Sequence, residues 1–426
     1  MIKEVTYVMN IEQLAAHTEE EIRPYHISIQ SIVEKNQHRV LEAFRRLKIS
    51  DSHFNPTTGY GYDDYGRDTL EELYAEIFGG EDALVRPQII SGTHAITTAL
   101  FGVLRPGDEL LYMTGEPYDT LEQVVKGSND KDTGSLKDYG ISYRSVSLAE
   151  SGEIDFPEIR NAIKNNTKMI AIQRSKGYAD RPSFTIDEIA DMIQKIRTIK
   201  PDAIIFVDNC YGEFVELQEP LHVGADLIAG SLIKNPGGGI VRTGGYIAGN
   251  KDLVELCSYR LTAPGIGKEA GASLNSLQEM YQGIFLAPHM VGEALKGAVF
   301  TARLLEEAGF TTTPAYNAKR TDLIQAVAFE TAEQMVAFCQ AIQKSSPINS
   351  HVTPYPSPMP GYESDVIMAA GTFIQGASLE LTADGPIRPP YMAFVQGGLT
   401  YEHVKIAVKL ALEEIVEAGF HQIETG

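Results

Sequence analysis

The stretch IIFVDN at residues 204–209 decides the fold class of this chain. Four apolar residues followed by a carboxylate are typical of a strand buried inside a parallel sheet. A second apolar run, DLIAGSLIK at residues 226–234, ends in a lysine, and residues 168–173, KMIAIQ, form a third run. Between the third run and the first, isoleucines recur at helical spacing over residues 189–196. Strands that alternate with helices predict an α/β domain with a mostly parallel sheet.

The alternation continues on both sides of this stretch, from about residue 68 to about residue 249. The expected elements are two helices, at residues 70–78 and 94–103, and two strands, at residues 89–90 and 109–114. The polar segment that precedes them, residues 55–67, is rich in glycine and tyrosine and is expected to be a loop.

The pattern differs towards the two ends of the chain. The first 50 residues or so have apolar positions close to a helical period. After about residue 287, long helices alternate with strand-like segments such as residues 377–382, and the helices are expected at 292–308, 332–343 and 401–418. We therefore expect three parts: a helical N-terminal arm (1–60), a large domain (61–286) and a smaller C-terminal α+β domain (287–426).

Composition and charge exclude several classes of function. The 426 residues include 36 Lys+Arg and 57 Asp+Glu, so the formal charge is 36 − 57 = −21. We expect no nucleic-acid partner, because phosphate backbones attract basic surfaces. We expect no membrane partner either, because the apolar runs are far shorter than the roughly 20 residues that span a bilayer. No signal peptide is evident, and three scattered cysteines indicate neither disulfides nor zinc. A cytoplasmic location is expected.

Polar residues follow the expected strands, at the sheet edge where ligands bind in open parallel sheets. Ser91, Gly92 and Thr93 begin a helix, and its free backbone N–H groups suit a phosphate, although a simple serine cap gives the same pattern. Asp208 either caps a turn or pairs with a ligand cation. Lys234 either lies at the surface or, in a desolvated pocket, has a lowered pKa and forms a Schiff base.

The order of these features resembles the pyridoxal-phosphate (PLP) enzymes of the aspartate-aminotransferase fold. The phosphate turn is followed about 25 residues later by Tyr118, and a Ser-x-x-Lys motif ends 26 residues after Asp208 (234 − 208). More narrowly, it resembles the Cys/Met-metabolism branch, the cystathionine lyases and methionine γ-lyase. Residues 65–92 parallel its Tyr-x-Arg…Leu-Glu…Leu…Ser-Gly block, 207–209 its Val-Asp-Asn, and 230–234 its Ser-x-Thr-Lys. The wording SGTHA, GSLIKNPGGG and RPPYMAFVQGGLT looks most like the subfamily labelled methionine γ-lyase-like or aluminium-resistance protein.

The resemblance implies roles for the reacting groups. Lys234 would form the Schiff base with pyridoxal 5′-phosphate and then move the α-proton of the substrate. Asp208 would keep the pyridine nitrogen protonated, so that the ring acts as an electron sink. Tyr118 would stack on the ring and assist the leaving group.

The resemblance also implies how the phosphate is held and how subunits associate. The phosphate ligands would be the backbone at Gly92 and Thr93 with the hydroxyls of Ser91 and Ser231. Tyr65 and Arg67 match residues that, in the family, reach the phosphate of a neighbouring subunit. A homodimer or homotetramer with shared active sites follows, with the N-terminal arm contributing to subunit contacts.

The carboxylate of an amino-acid substrate needs a fork of donors, for which arginine fits best. Arg388 is our choice, since it lies at about the family's distance from the lysine, although a solvent-facing loop arginine is nearly as good an explanation. Residues 173–178, QRSKGY, replace the family's Glu-x-Pro-x-Asn-Pro segment, so that Arg174 or Arg181 is a further candidate for contact with substrate or cofactor. The histidines show no His-Glu-x-x-His spacing, and no metal site is expected.

The function implied is a PLP-dependent carbon–sulfur lyase that performs β- or γ-elimination on a sulfur amino acid. Fold and cofactor do not dictate which bond breaks, so transamination, aldol cleavage and racemisation stay open. A third possibility is a non-catalytic protein of this fold that acts in a stress response, against which the complete pair of Asp208 and Lys234 argues.

Overall fold

A computed structural model describes residues 11–128, 131–179, 181–359 and 362–421. These residues form two compact units. The larger unit is Lys35–Pro288, and the other contains the described residues of Met1–Glu34 and His289–Gly426. Two long helices, α1 (Ile11–Arg46) and α8 (Leu277–Glu307), contribute residues to both. Among the helices of these residues, none has the length and apolar content that a membrane crossing requires.

A seven-stranded sheet forms the centre of the larger unit. Its strands are β1 (Asp82–Arg86), β2 (Glu109–Tyr112), β3 (Ser142–Ser145), β4 (Thr167–Gln173), β5 (Ile204–Asp208), β6 (Leu227–Ser231) and β7 (Gly245–Gly249). Their order is β1-β7-β6-β5-β4-β2-β3. The pairs from β6 to β3 are parallel, and β7 is antiparallel to both of its neighbours. The predicted α/β fold with a mostly parallel sheet is confirmed.

The helices α3 (Gly92–Val103), α4 (Asp119–Lys126), α5 (Phe156–Ala162) and α6 (Ile186–Ile199) connect strands of this sheet. Helix α2 (Tyr65–Phe78) precedes β1, and helix α7 (Lys251–Leu261) follows β7. Helix α6 shows how sequence sets an element. Thr185 and Glu188 exchange side-chain-to-backbone hydrogen bonds in a capping box, and the isoleucines at helical spacing are buried.

The core under the site lies between α3, α7 and the sheet. Small residues on α3, Ala95 and Ala99, are fully buried, and they pack in one cluster with Phe206 of β5 and Ala229 of β6. Because alanine lets the helix approach the sheet closely, the first turn of α3 is brought close to the end of β6: a Cβ built on Gly92 would lie 3.4 Å from the Cβ of Ser231.

The strand expected at residues 89–90 was wrong. Strand β1 ends at Arg86, and the backbone N–H of Ile89 donates to the Arg86 carbonyl in a turn. Ile89 is buried as a core residue while Ile90 is 72% exposed. Two adjacent β-branched residues therefore mimicked a strand, although only one of them contributes to the core.

The other unit contains a five-stranded antiparallel sheet with helices. Its strands are β8 (Thr311–Thr313), β9 (Gln325–Phe329), β10 (Val366–Ala369), β11 (Thr382–Pro386) and β12 (Tyr391–Gln396), in the order β10-β11-β12-β9-β8. Helices α9 (Ala332–Lys344) and α10 (Tyr401–Glu417) pack against each other. The strand expected at residues 377–382 was displaced: β11 starts where that segment ends, because the buried residues before it pack without pairing to a strand.

Candidate active site

Asp208, the last residue of β5, is the buried acid of the site. Only 8% of it is exposed. The backbone N–H of Cys210 donates to Asp208 Oδ1 at 3.1 Å, and the Cys210 thiol is a second hydrogen-bonding partner. Burial raises the pKa of Asp208, and the neighbouring charge of Lys234 opposes that effect. A positively charged group that enters the pocket beside this carboxylate would therefore be stabilised.

Lys234 lies three residues beyond the end of β6. Its backbone N–H donates to the Ser231 carbonyl at 3.4 Å, and its Nζ lies 3.8 Å from the centroid of the Tyr211 ring. Burial lowers the pKa of this amine, but the surrounding Cys210, Tyr211 and Asp208 raise it by more, so the net shift is upward from 10.5. The lowered pKa expected from desolvation alone does not occur, because the pocket surrounds the amine with acidic and aromatic groups.

The first turn of α3 supplies backbone donors. The hydroxyl of Ser91 accepts the backbone N–H of His94 at 3.0 Å, so the serine cap is present. The N–H groups of Gly92 and Thr93 have no acceptor inside the helix, since the first turn lacks carbonyl partners. With the positive end of the helix dipole, these N–H groups suit an anion. A Cβ at Gly92 would lie 3.3 Å from Cys210 Sγ, which is a tight contact, and glycine keeps this end open.

Tyr118 forms another wall of the same cavity. It precedes α4, and a Cβ built on Gly177 would lie 3.0 Å from its ring, so the glycine allows the ring to pack closely there. The cavity has a volume of about 210 Å³. It is lined by Ser91, Gly92, Thr93, Ile96, Tyr118, Thr120, Leu121, Gln173, Ser175, Gly177, Asp208, Cys210, Tyr211, Ser231, Ile233 and Lys234.

The donor set of this cavity fits pyridoxal 5′-phosphate. The N–H groups at the start of α3 and the Ser231 hydroxyl suit a phosphate. The acid at the end of β5 suits a protonated pyridine nitrogen, and the amine of Lys234 suits an aldehyde. The structure thus brings seven of the sequence-predicted residues into one cavity: Ser91, Gly92, Thr93, Tyr118, Asp208, Ser231 and Lys234.

Arg174 belongs to a buried ion network and is absent from the lining of the cavity. Its guanidinium is fully buried and donates to Asn209 Oδ1 at 2.9 Å and to Glu216 Oε1 at 3.2 Å. Its Nη1 also lies 3.5 Å from Glu219 Oε2. Because the guanidinium pairs with buried acids of its own chain, this placement does not support the predicted contact with substrate.

The other two candidate arginines lie in different units. Arg181 donates through Nη2 to the carbonyls of Ser175 at 2.7 Å and Gln173 at 3.2 Å, and both of those residues line the cavity. Its charge also acts on Asp208, against the larger effect of burial. Arg388 is exposed and follows β11 in the unit with the antiparallel sheet.

The two residues predicted to reach a neighbouring subunit differ in their surroundings. Arg67 is 3% exposed and donates to the carbonyls of Gly61 at 2.7 Å and Gly271 at 3.1 Å. It therefore holds a loop of its own chain, which does not support contact with another subunit's phosphate. Tyr65, at the start of α2, is 60% exposed, and its neighbours Tyr60 and Tyr62 are exposed and stacked on each other.

Several lining residues were missed in the sequence. Cys210 and Tyr211 follow Asp208 and Asn209 directly, so the rule that ligands bind beyond strand ends would have identified them. Ser175 and Gly177 lie in the segment QRSKGY, in which only the arginine was predicted to contact a ligand. The glycine leaves space in the cavity and the serine offers its backbone carbonyl. Neither contribution depends on a charged side chain, so the sequence does not mark it.

One group of potential metal ligands occurs among the described residues, and it lies outside the cavity. His17, Glu21 and Glu307 approach one another in the unit with the antiparallel sheet. Arg303 forms ion pairs with both glutamates, and His17 is hydrogen-bonded to Glu307 at 2.6 Å. Both acids are therefore already paired with an arginine.

Comparisons with known proteins find similarity over nearly the whole chain. The family model described as methionine gamma-lyase matches residues 11–416. The uncharacterized protein YnbB of Bacillus subtilis is 63% identical over 417 residues, which is 98% of this chain and 99% of that protein. The crystal structure of a carbon-sulfur lyase involved in aluminum resistance, from Clostridium novyi, has a TM-score of 0.91 at 48% identity and covers 95% of this chain and 96% of that one. The pyridoxal-5′-phosphate dependent protein YhfS of Escherichia coli, at 16% identity and a TM-score of 0.61 over 90% of this chain and 97% of that one, shares the fold.

Proposed function

The chain belongs to the methionine gamma-lyase family, and on this basis we propose that it is a PLP-dependent carbon–sulfur lyase that performs β- or γ-elimination on a sulfur amino acid. One observation carries the proposal: Asp208 and Lys234 line a single cavity together with the anion-binding start of α3. A protein that only binds a partner has no need of a buried acid, a lysine and a phosphate site in one cavity.

Each lining residue has a task in such a reaction. When bound, PLP supplies an electron sink that stabilises negative charge at the substrate's α-carbon. Lys234 takes the α-proton on Nζ, and Asp208 holds positive charge on the pyridine nitrogen. The hydroxyl of Ser91 accepts the His94 N–H, and that of Ser231 accepts the Ile233 N–H at 3.4 Å. Each hydroxyl keeps its own proton to donate to the phosphate.

Tyr118 is the proposed partner of the departing sulfur. Its ring forms a wall of the cavity, where it can stack on a planar cofactor. Its phenolic hydroxyl is a donor that can deliver a proton to a thiolate as the bond to sulfur breaks.

Arg388 remains the proposed ligand of the substrate carboxylate. Its side chain is exposed, and a guanidinium presents two parallel donors to the two carboxylate oxygens. Arg181, next to the cavity, is the alternative that the geometry of the larger unit favours.

We also propose a homodimer or homotetramer in which the N-terminal arm (1–60) contributes to subunit contacts. Support for an interface comes from three exposed tyrosines where the arm meets the large domain: Tyr60 in the arm, and Tyr62 and Tyr65 just after it, are 73%, 56% and 60% exposed. Exposed aromatic clusters of this kind are typical of protein interfaces. The domain boundaries proposed from the sequence, at residues 60 and 286, belong to the same hypothesis. A cytoplasmic location is supported by three free, buried cysteines.

The decisive experiment combines spectroscopy with product analysis. The purified protein with added PLP should show an absorbance band near the visible edge that borohydride bleaches, and Lys234→Ala should abolish it. A panel of thioether and thiol amino acids, cystathionine and methionine included, is then assayed for keto acid, ammonia and thiol release. Pyruvate marks β-elimination and 2-oxobutyrate marks γ-elimination.

Other outcomes separate the remaining hypotheses. Formation of the band with transamination, aldol cleavage or racemisation products would replace the lyase with another PLP enzyme. The band without turnover of any amino acid would favour a non-catalytic role in a stress response, and absence of the band would contradict the proposal altogether.

A further inference from the structure

Tyr211 has an unusual backbone conformation beside the reactive lysine. Its φ is +73°, in the left-handed region that bulky side chains rarely adopt. Such a conformation costs free energy and persists only where the surrounding structure enforces it. Tyr211 is half-buried and lines the same cavity as Lys234.

Two contacts enforce this conformation. The next residue, Gly212, packs so closely against Arg174 that a Cβ there would lie 2.5 Å from its Nη1. On the other side, the amide of Asn235 donates to the carbonyls of Tyr211 and Glu213, each at 3.0 Å. Since Asn235 is the residue after Lys234, this clamp ties the backbone of the tyrosine directly to the lysine turn.

The enforced conformation places the ring against the amine. Lys234 Nζ lies 3.8 Å from the ring centroid, within the range of a cation–π contact. The other titratable groups that act on the amine are Asp208, Cys210 and Glu213. The Asp208 carboxylate attracts the charge, while the ring face gives it a fixed position.

We infer that Tyr211 is a positioning residue for Lys234, whose ring face holds the ε-ammonium group in the cavity. The role of Tyr211 in catalysis rests on the proposed function. In that function, Lys234 accepts a proton from the substrate while the lysine is not bound to the cofactor. An aromatic face stabilises the protonated amine in that state and keeps it where the proton is transferred.

The test measures the reactivity of Lys234 in the full chain before PLP is added. Wild type, Tyr211→Phe, Tyr211→Leu and Tyr211→Gly are labelled with acetic anhydride from neutral to alkaline pH, and modification of Lys234 is quantified by peptide mass spectrometry. Lys251, exposed at the start of α7, is the internal reference. Because only the neutral amine reacts, loss of the ring should speed labelling at Lys234 by about threefold to thirtyfold, and phenylalanine should restore the wild-type rate.

The glycine variant separates positioning from folding. Glycine tolerates the positive φ, so Tyr211→Gly removes the ring without adding strain, and it should label as fast as Tyr211→Leu while its melting temperature stays at or above that of the leucine variant. Equal labelling of Lys234 in wild type and Tyr211→Gly would overturn the inference. So would a phenylalanine variant that behaves like leucine, because the hydroxyl and not the ring would then matter. Absence of PLP binding in all four proteins would contradict the proposed function and leave this measurement intact.

Discussion

The two ends of the cavity are built in different ways. At the start of α3, an ordinary serine cap and a glycine present backbone donors, and each contact follows standard helix geometry. At the end of β5, the loop of residues 208–216 contains two aromatic residues with positive φ, Tyr211 and Phe214. The start of α3, which we call the phosphate end after its proposed ligand, thus has ordinary backbone geometry. The loop of residues 208–216 beside Lys234, which we call the lysine end, is strained and depends on surrounding interactions.

Buried charges stabilise the lysine end. Arg174 contacts Glu216 and Glu219, and the backbone N–H of Phe214 donates to Glu219 Oε1 at 2.9 Å. Glu219 therefore links the ion network to the loop backbone. We therefore expect the lysine end to lose more stability when a distant charge is removed than the phosphate end loses when a direct ligand is removed.

The largest effect is expected from Arg174→Met. Removal of the guanidinium leaves Glu216 without its buried partner and leaves Glu219 with the partly exposed Arg39 alone. Loss of a buried partner typically costs about 3–5 kcal/mol of unfolding free energy. Urea unfolding of the full chain measures the change. Arg242→Met is the control, because Arg242 is 72% exposed in its ion pair with Glu279 and should change stability by less than about 1 kcal/mol. Similar values for the two variants would show that the lysine end does not depend on the buried charge.

A smaller effect is expected from Glu213→Gln, seen in the pH dependence of stability. Glu213 is fully buried, and burial raises its pKa from 4.5 to about 8. Tyr246 donates to its Oε1 at 2.8 Å, and Lys234 and Glu219 act on it electrostatically. The folded protein therefore binds a proton that the unfolded chain releases near its ordinary pKa. Stability from this group is complete below pH 4.5 and decreases as the pH rises towards 8.

The measurement compares unfolding free energies of wild type and variant across this range. Between about pH 6 and pH 8 the wild type should lose about 2 kcal/mol more than Glu213→Gln, since glutamine cannot ionise and fills the same space. Glu216→Gln is a matched control, because it changes an acid that is paired with Arg174. Parallel pH profiles for wild type and Glu213→Gln would mean that Glu213 is ionised in the folded protein.

The same contrast explains what the sequence could predict. The phosphate end was predicted because its signals are local: Ser91 and Gly92 are neighbours at the start of a helix, although the strand expected just before them was wrong. Asp208 and Lys234 were predicted as a pair because each follows an apolar run that is itself a strand, and the resemblance to a family assigned their chemistry.

The lysine end was predicted only in part, because its geometry depends on contacts that are distant in sequence. Arg174 was expected near the substrate. Instead, it is held inside the protein by Glu216 and Glu219, which lie 42 and 45 residues further along the chain. A positive φ at Tyr211 has no local signal either, since tyrosine normally avoids that region. Long-range charge pairing and enforced strain therefore limited the prediction at this end, and short apolar runs misled it at residues 89–90 and 377–382.

The smallest effect is expected at the phosphate end itself. Ser91→Ala removes the cap of α3 and one proposed phosphate ligand, and it should cost about 1 kcal/mol of stability. It should also weaken PLP binding about tenfold, measured by titration of the absorbance band.

Thr400→Ala is the control. It removes a matched cap at the start of α10, where the threonine accepts the His403 N–H at 3.3 Å. Both variants should lose similar stability, and only Ser91→Ala should lose cofactor affinity, because the first turn of α3 faces the cavity. Unchanged PLP affinity in Ser91→Ala would reduce this serine to a helix cap and leave the backbone N–H groups as the phosphate ligands.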